Sequence, residues 1–122
     1  MTASAPRIVI IGGVAAGMSA AARARRINED AHITVVERGG FVSFANCGLP
    51  YHLAGEISDR DALLRHTPQS LADSLALDVR TVHEVTAIDP AGRTVAVRER
   101  ATGREYRESY DVLALSTGAA PV

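Results

Sequence analysis

Three glycines within six residues, Gly12-Gly13-Val14-Ala15-Ala16-Gly17, stand between a β-branched run and a stretch of small, helix-compatible residues. No other feature constrains the fold as much. Arg7 to Ile11 (RIVII) is too short for a helix and ends on the glycines, so it reads as a buried parallel strand. Ala15 to Ile27 is built of Ala, Met, Ser and Arg, all compatible with helix. Ile33 to Glu37 (ITVVE) reads as a second buried strand. Strand, helix and strand within about 30 residues make a βαβ unit, which commits this end of the chain to a parallel sheet.

Such a turn lets backbone N–H groups approach a pyrophosphate, with the helix N-terminus aimed at it. The usual fingerprint is G-x-G-x-x-G, and Val14 occupies the place of its second glycine. Small residues at Ala15, Ala16, Ser19 and Ala20 keep the approach open. Glu37 closes the second strand twenty residues after Gly17, where a carboxylate can take both ribose hydroxyls and would repel a 2′-phosphate. The competing reading is a close-packed strand–helix turn with an exposed Glu. The motif by itself does not separate FAD from NAD.

The rest of the chain continues in short elements. Arg38 to Asn46 is a loop, and a short helix is expected from about Cys47 towards Leu53. Thr67-Pro68 marks a helix start, with Thr67 as N-cap, and that helix should end near Leu77. Val79 to Ile88, Thr94 to Arg100 and Tyr106 to Ser109 alternate around turns at Asp89-Pro90-Ala91-Gly92 and Ala101-Thr102-Gly103. They predict an antiparallel three-stranded meander. Val112 to Leu115 is one more apolar strand, running into Ser116-Thr117-Gly118. The expected class is α/β: a Rossmann-like parallel sheet from Arg7–Ile11, Ile33–Glu37 and Val112–Leu115, with the meander packed at one side.

At 122 residues the chain is one domain's worth, and with 47% apolar and 22% charged residues it can bury a core. A net charge of −1 and only five aromatic side chains argue against a nucleic-acid or anionic-membrane partner. All thirteen basic residues are Arg, which excludes Schiff-base lysine chemistry and a Walker lysine. Ile8 to Ala22 is free of charge and has the outline of a signal peptide, but Gly12, Gly13 and Gly17 interrupt it. The expected setting is cytoplasmic. His32, His52, His66 and His83 show no metal-ligand spacing, and no metal site is expected; His52, just after the cysteine loop, is the one to watch.

Cys47 is the chain's one cysteine and sits in Ser43-Phe44-Ala45-Asn46-Cys47-Gly48-Leu49-Pro50-Tyr51. A thiol at the first turn of a helix feels the positive end of the dipole, which favours thiolate. A lone cysteine can equally be a small buried hydrophobe. The runs IVIIGGVAAGMSAAARARR, VVERGGFVSFANCGLPY and YDVLALSTGA together resemble the FAD-binding region of the coenzyme A-disulfide reductases. These are single-cysteine pyridine nucleotide-disulfide oxidoreductases. The resemblance is collinear over essentially the whole chain.

That resemblance implies Cys47 as the redox-active residue, alternating between thiolate and a mixed disulfide with coenzyme A, with electrons passing from NAD(P)H through FAD. It implies FAD contacts at Gly12, Val14, Ala15, Ala16, Gly17, Glu37, Arg38, Asn46, Val85, Thr117 and Gly118. Ser19, Arg23, Arg26, Ser43 and Asn46 match positions that touch coenzyme A in the family. Ser19, Arg23 and Arg26 also fall within about 60° of arc on one helix face, and guanidinium forks suit phosphate oxygens. The plainer reading of those arginines is that they complement the dipole at the helix C-terminus.

The related NADH oxidases and peroxidases cycle a cysteine sulfenic acid. They typically carry His at the position of Ala15 and Ser at that of Asn46, so both residues favour the coenzyme A branch. Persulfide or polysulfide substrates stay open, as does an inactive nucleotide-binding fragment. The chain is expected to be the front part of a discontinuous FAD domain in a homodimer, with NAD(P)-binding and dimerisation domains following.

Overall fold

The computed structural model describes residues 5–42 and 68–118. In chain order these form β1 (Arg7–Ile11), α1 (Ala15–Ile27), β2 (His32–Glu37), α2 (Pro68–Leu75), β3 (Asp78–Thr81), β4 (His83–Asp89), β5 (Thr94–Glu99), β6 (Glu105–Ser109) and β7 (Val112–Leu115). A four-stranded sheet has the order β3-β2-β1-β7, and a three-stranded sheet the order β4-β5-β6. The first is parallel throughout, with Ile8 opposite Ile33 and Val112, and Val35 opposite Val79. The second is antiparallel.

The central strands are apolar on both sides because both faces of the sheet are covered. Ile10, Ile33 and Val35 meet Met18 and Ala21 of α1 and Leu71 and Leu77 around α2. Val9 and Val36 face the other way, onto Val95 and Val97 of β5 and onto Tyr110. Each fully buried Val, Leu or Ile among them contributes about 1.5–3 kcal/mol. The result is three layers, with the helices, the parallel sheet and the meander stacked in that order.

The parallel sheet and the meander divide the chain differently from the sequence expectation. Val79 to Ile88 is not one meander strand. Val82 adopts φ 58°, in the left-handed region, and breaks the run. The part before it, β3, joins the parallel sheet beside β2; the part after it, β4, opens the meander. Val82 donates its N–H to the Gly39 carbonyl at 2.9 Å and accepts from the Arg100 N–H at 2.9 Å. Those two bonds hold the break in place. The helix before it ends at Leu75 rather than Leu77, because Ala76 is also left-handed, at φ 52°. The helix expected from Cys47 to Leu53, and the Thr67 cap, lie outside the described residues.

Polar ties fasten the layers. Asp111 and Arg7 bond to each other twice, Asp111 N–H to the Arg7 carbonyl and Arg7 N–H to the Asp111 side-chain Oδ2, each 2.7 Å. The latter bond holds the Asp111 carboxyl below the usual carboxylate range. Arg80 on β3 donates to Tyr106 and Glu108 on β6, each at 3.0 Å, and to Asp78 at 2.7 Å. Burial opposes its charge, but these bonds outweigh burial and push its pKa upward. Among the described residues no helix is long and apolar enough to cross a membrane.

Candidate dinucleotide-binding site

The C-terminal ends of β1, β2 and β7 meet at the glycine turn. Gly12 has φ 100°, and a Cβ there would collide with the Ser116 carbonyl. A Cβ on Gly17 would collide with the Gly12 carbonyl. The turn is drawn tight by Gly12 N–H to Val36 O and Ser116 N–H to Ile11 O, both 2.8 Å. Val14, at φ −96°, is the N-cap of α1. That backbone makes no demand for glycine, so valine is accepted where the fingerprint has its second glycine.

No side chain caps α1, and its first turn holds no acid. Met18 is the first to close a helical bond, to Val14 O at 2.9 Å. The N–H groups of Ala15, Ala16 and Gly17 therefore lie at the positive end of the helix dipole without intrahelical partners. Ala15 and Ala16 are exposed, so an anion can reach this terminus.

Glu37 is half-buried and less free than its sequence position suggested. Its Oε1 accepts from Gly13 N–H at 2.9 Å and its Oε2 from Gly39 N–H at 2.7 Å. A carboxylate has about four acceptor sites, so lone pairs remain for hydroxyl donors. The two bonds fix the group between the glycine turn and the loop after β2.

A cleft of about 300 Å³ opens beside it. Gly12, Glu37, Arg38, Val85, Thr117 and Gly118, drawn from four separate stretches of the chain, all line it. So do Ile11, Val36, His83 and Glu84, which the sequence reading did not name. The inclusion of His83 and Glu84 follows from the break at Val82, which turns the start of β4 toward the ends of β1 and β2. Val14, Ala15, Ala16 and Gly17 lie at the adjoining start of α1. Arg38 is placed by Arg100, whose Nη1 donates to the Arg38 carbonyl at 2.9 Å.

Ser19, Arg23 and Arg26 are exposed on α1. Among the described residues neither arginine makes a hydrogen bond or ion pair. The dipole-complementing role falls instead to Arg25, which donates to the carbonyls of Asn28 and Glu29 beyond α1 and of Leu75 and Ala76 at the end of α2. No group of metal-ligating side chains exists among the described residues. Cys47, Ser43, Asn46, His52 and His66 lie outside the described residues.

Glycines that leave no room for a Cβ, a helix terminus offering free N–H groups and a fixed carboxylate at the end of β2 fit a pyrophosphate and its ribose. Fold and site together define a Rossmann-like dinucleotide-binding domain with an antiparallel meander on the second face of its parallel sheet. Residues 6–122 match the pyridine nucleotide-disulphide oxidoreductase family, and the chain belongs to it. It is 41% identical over 114 residues to a coenzyme A disulfide reductase of Staphylococcus aureus, covering 93% of this chain and 26% of that protein. The chain thus spans about a quarter of the length of the curated relatives it matches. Among solved structures it superposes on reduced Bacillus anthracis CoADR-RHD with TM-score 0.94 and 43% identity, over 100% of this chain and 22% of that one. An NAD-dependent persulfide reductase from A. fulgidus gives TM-score 0.90 and 40% identity, over 95% of this chain and 22% of that one.

Proposed function

We propose that this chain supplies the FAD-binding face and the redox cysteine of an NAD(P)H-driven reductase of coenzyme A disulfide or a related persulfide. The observation that carries this reading is the cleft, where Glu37, Val85 and Gly118 meet beside the open start of α1. The likeness to the S. aureus coenzyme A disulfide reductase and to the A. fulgidus persulfide reductase supports the substrate class.

The FAD contacts are assigned to the α1 N–H groups and Gly12 for the pyrophosphate, Glu37 for the ribose, and Arg38, Val85, Thr117 and Gly118 for the cleft wall, with Asn46 near the cysteine. FAD, when bound, relays electrons from NAD(P)H to sulfur. Cys47 acts as nucleophile: its thiolate attacks one sulfur of coenzyme A disulfide, a Cys47–coenzyme A disulfide forms, and one coenzyme A thiolate leaves. Arg23 and Arg26 hold the phosphates of the coenzyme by charge-assisted bonds, with Ser19, Ser43 and Asn46 as polar contacts. A single cysteine suits a reducing, cytoplasmic setting, and the working unit is a homodimer.

The test uses the full-length protein with Cys47→Ser. Disulfide reduction should disappear while flavin content and its reduction by NAD(P)H remain. Full reductase activity in that variant would refute the assignment.

A further inference from the structure

The peptide unit between Arg38 and Gly39 is gripped at both of its polar ends. Its oxygen, on Arg38, accepts from Arg100 Nη1 at 2.9 Å. Its N–H, on Gly39, donates to Glu37 Oε2 at 2.7 Å. A peptide unit is planar, with oxygen and hydrogen on opposite sides. Fixing the oxygen therefore fixes the direction in which the hydrogen points. Without such a hold this plane would rotate readily, because two glycines, Gly39 and Gly40, follow Arg38 and glycine accepts a wide range of φ. The next carbonyl, that of Gly39, is held by Val82 N–H at 2.9 Å, and the Val82 carbonyl accepts from Arg100 N–H at 2.9 Å. Arg100 stands one residue past β5 and is exposed. The bond to Arg38 is the one hydrogen bond its side chain makes among the described residues.

We infer that Arg100 is a positioning residue for the Glu37 carboxylate, acting through the Arg38–Gly39 peptide. This rests on the nucleotide reading of the cleft, in which Glu37 takes the ribose hydroxyls. Gly13 N–H holds Oε1 at 2.9 Å. With that bond alone the carboxylate would pivot about one oxygen. The Gly39 N–H supplies the second point, so the carboxylate plane and its remaining lone pairs are fixed. The guanidinium secures that N–H in two ways. It stops the peptide plane from turning, and its charge polarises the peptide and strengthens the N–H as a donor. The Arg100 main chain plays a separate part, since its own N–H holds Val82 and the break before β4. A side-chain substitution leaves that bond in place, so the strand layout and the effect on Glu37 separate experimentally.

The experiment is calorimetric titration of the full-length protein, freed of flavin, with ADP and with 2′,3′-dideoxy-ADP, which lacks the two ribose hydroxyls. The unchanged protein should bind ADP at least about tenfold more tightly, because the hydroxyls bond to a charged group. Arg100→Ala should cut that ratio to about threefold or less, by weakening ADP and leaving the dideoxy nucleotide nearly unchanged. Arg100→Lys should restore most of the ratio, since one bond to one carbonyl asks for a single donor. In a Glu37→Ala background, Arg100→Ala should shift the ratio no further. If Arg100→Ala does not fold, Arg100→Met, which keeps an aliphatic stem, decides in its place. An equal weakening of both nucleotides, or an unchanged ratio in the folded variant, overturns the inference and leaves the cleft reading intact. The arginine would then supply only charge or general stability. An unchanged protein that binds neither nucleotide, or both equally, overturns the ribose assignment of Glu37 and this inference with it.

Discussion

Arg25 and Arg26 are adjacent in sequence and differ in what holds them. The Arg25 guanidinium is committed to four backbone carbonyls that would otherwise be orphaned at the ends of α1 and α2. Arg23 and Arg26 keep their charge exposed. Arg25→Ala should therefore cost about 1.5–3 kcal/mol of stability. Arg25→Lys should recover little of it, since an ammonium cannot span the same fork of acceptors. Denaturant unfolding checks this, and a loss below 0.5 kcal/mol, within the range of ordinary surface substitutions, would show the carbonyls equally well served by water. Glu37 shows the same economy of placement. The sequence placed it at the end of β2 but held no sign that its carboxylate also binds the glycine turn, because that contact depends on how the loop after β2 folds back.

Strands β1, β2 and β7 were legible as elements because each is a short apolar run bounded by glycine or polar residues. The division between β3 and β4 was not. Val79 to Ile88 has continuous β character, and a β-branched valine is among the residues least suited to a left-handed turn. Tertiary bonds to Gly39 and Arg100 impose that conformation on Val82. The misreading hid His83 and Glu84, since only the break brings them to the cleft. Val82→Gly should relieve a penalty of about 1–2 kcal/mol. Against it stands glycine's entropic cost of about 0.5–1 kcal/mol, so the net effect lies between about zero and a stabilisation of about 1.5 kcal/mol. A higher Tm is expected, and a lower one would mean that Val82 packing outweighs the strain. On α1, Ser19, Arg23 and Arg26, placed on one face by helical spacing, are all exposed. In the full-length protein Arg23→Ala or Arg26→Ala should raise KM for coenzyme A disulfide and leave thiol reactivity nearly intact. Each lost charge-assisted contact is worth about 1.5–3 kcal/mol, or roughly 10- to 150-fold. An unchanged KM in the double variant would reduce the stripe to a solvated face.

At the scale of the molecule, the helix layer and the meander cover the two faces of the parallel sheet, but its β7 edge has no pairing partner among the described residues. Val112 and Leu115 on that strand are 54% and 65% exposed. Open apolar edges of this kind associate. A polypeptide of these 122 residues alone should therefore self-associate and hold flavin weakly or not at all, and it should turn over no NAD(P)H. Light scattering and the flavin absorbance of the purified polypeptide check this. A monomer carrying stoichiometric flavin would contradict it.

The claim that joins these scales is that the dinucleotide cleft serves one redox cysteine whose partner sulfur comes from coenzyme A. With no second cysteine in this chain, the claim requires Cys47 in its oxidised form to carry a sulfur from outside the chain rather than to rest as a sulfenic acid. Mass spectrometry of the unreduced full-length protein reads the borrowed sulfur directly. The account predicts a mass excess equal to one coenzyme A, released by thiol treatment and absent from Cys47→Ser. An unmodified mass, or the same adduct persisting in Cys47→Ser, would contradict it.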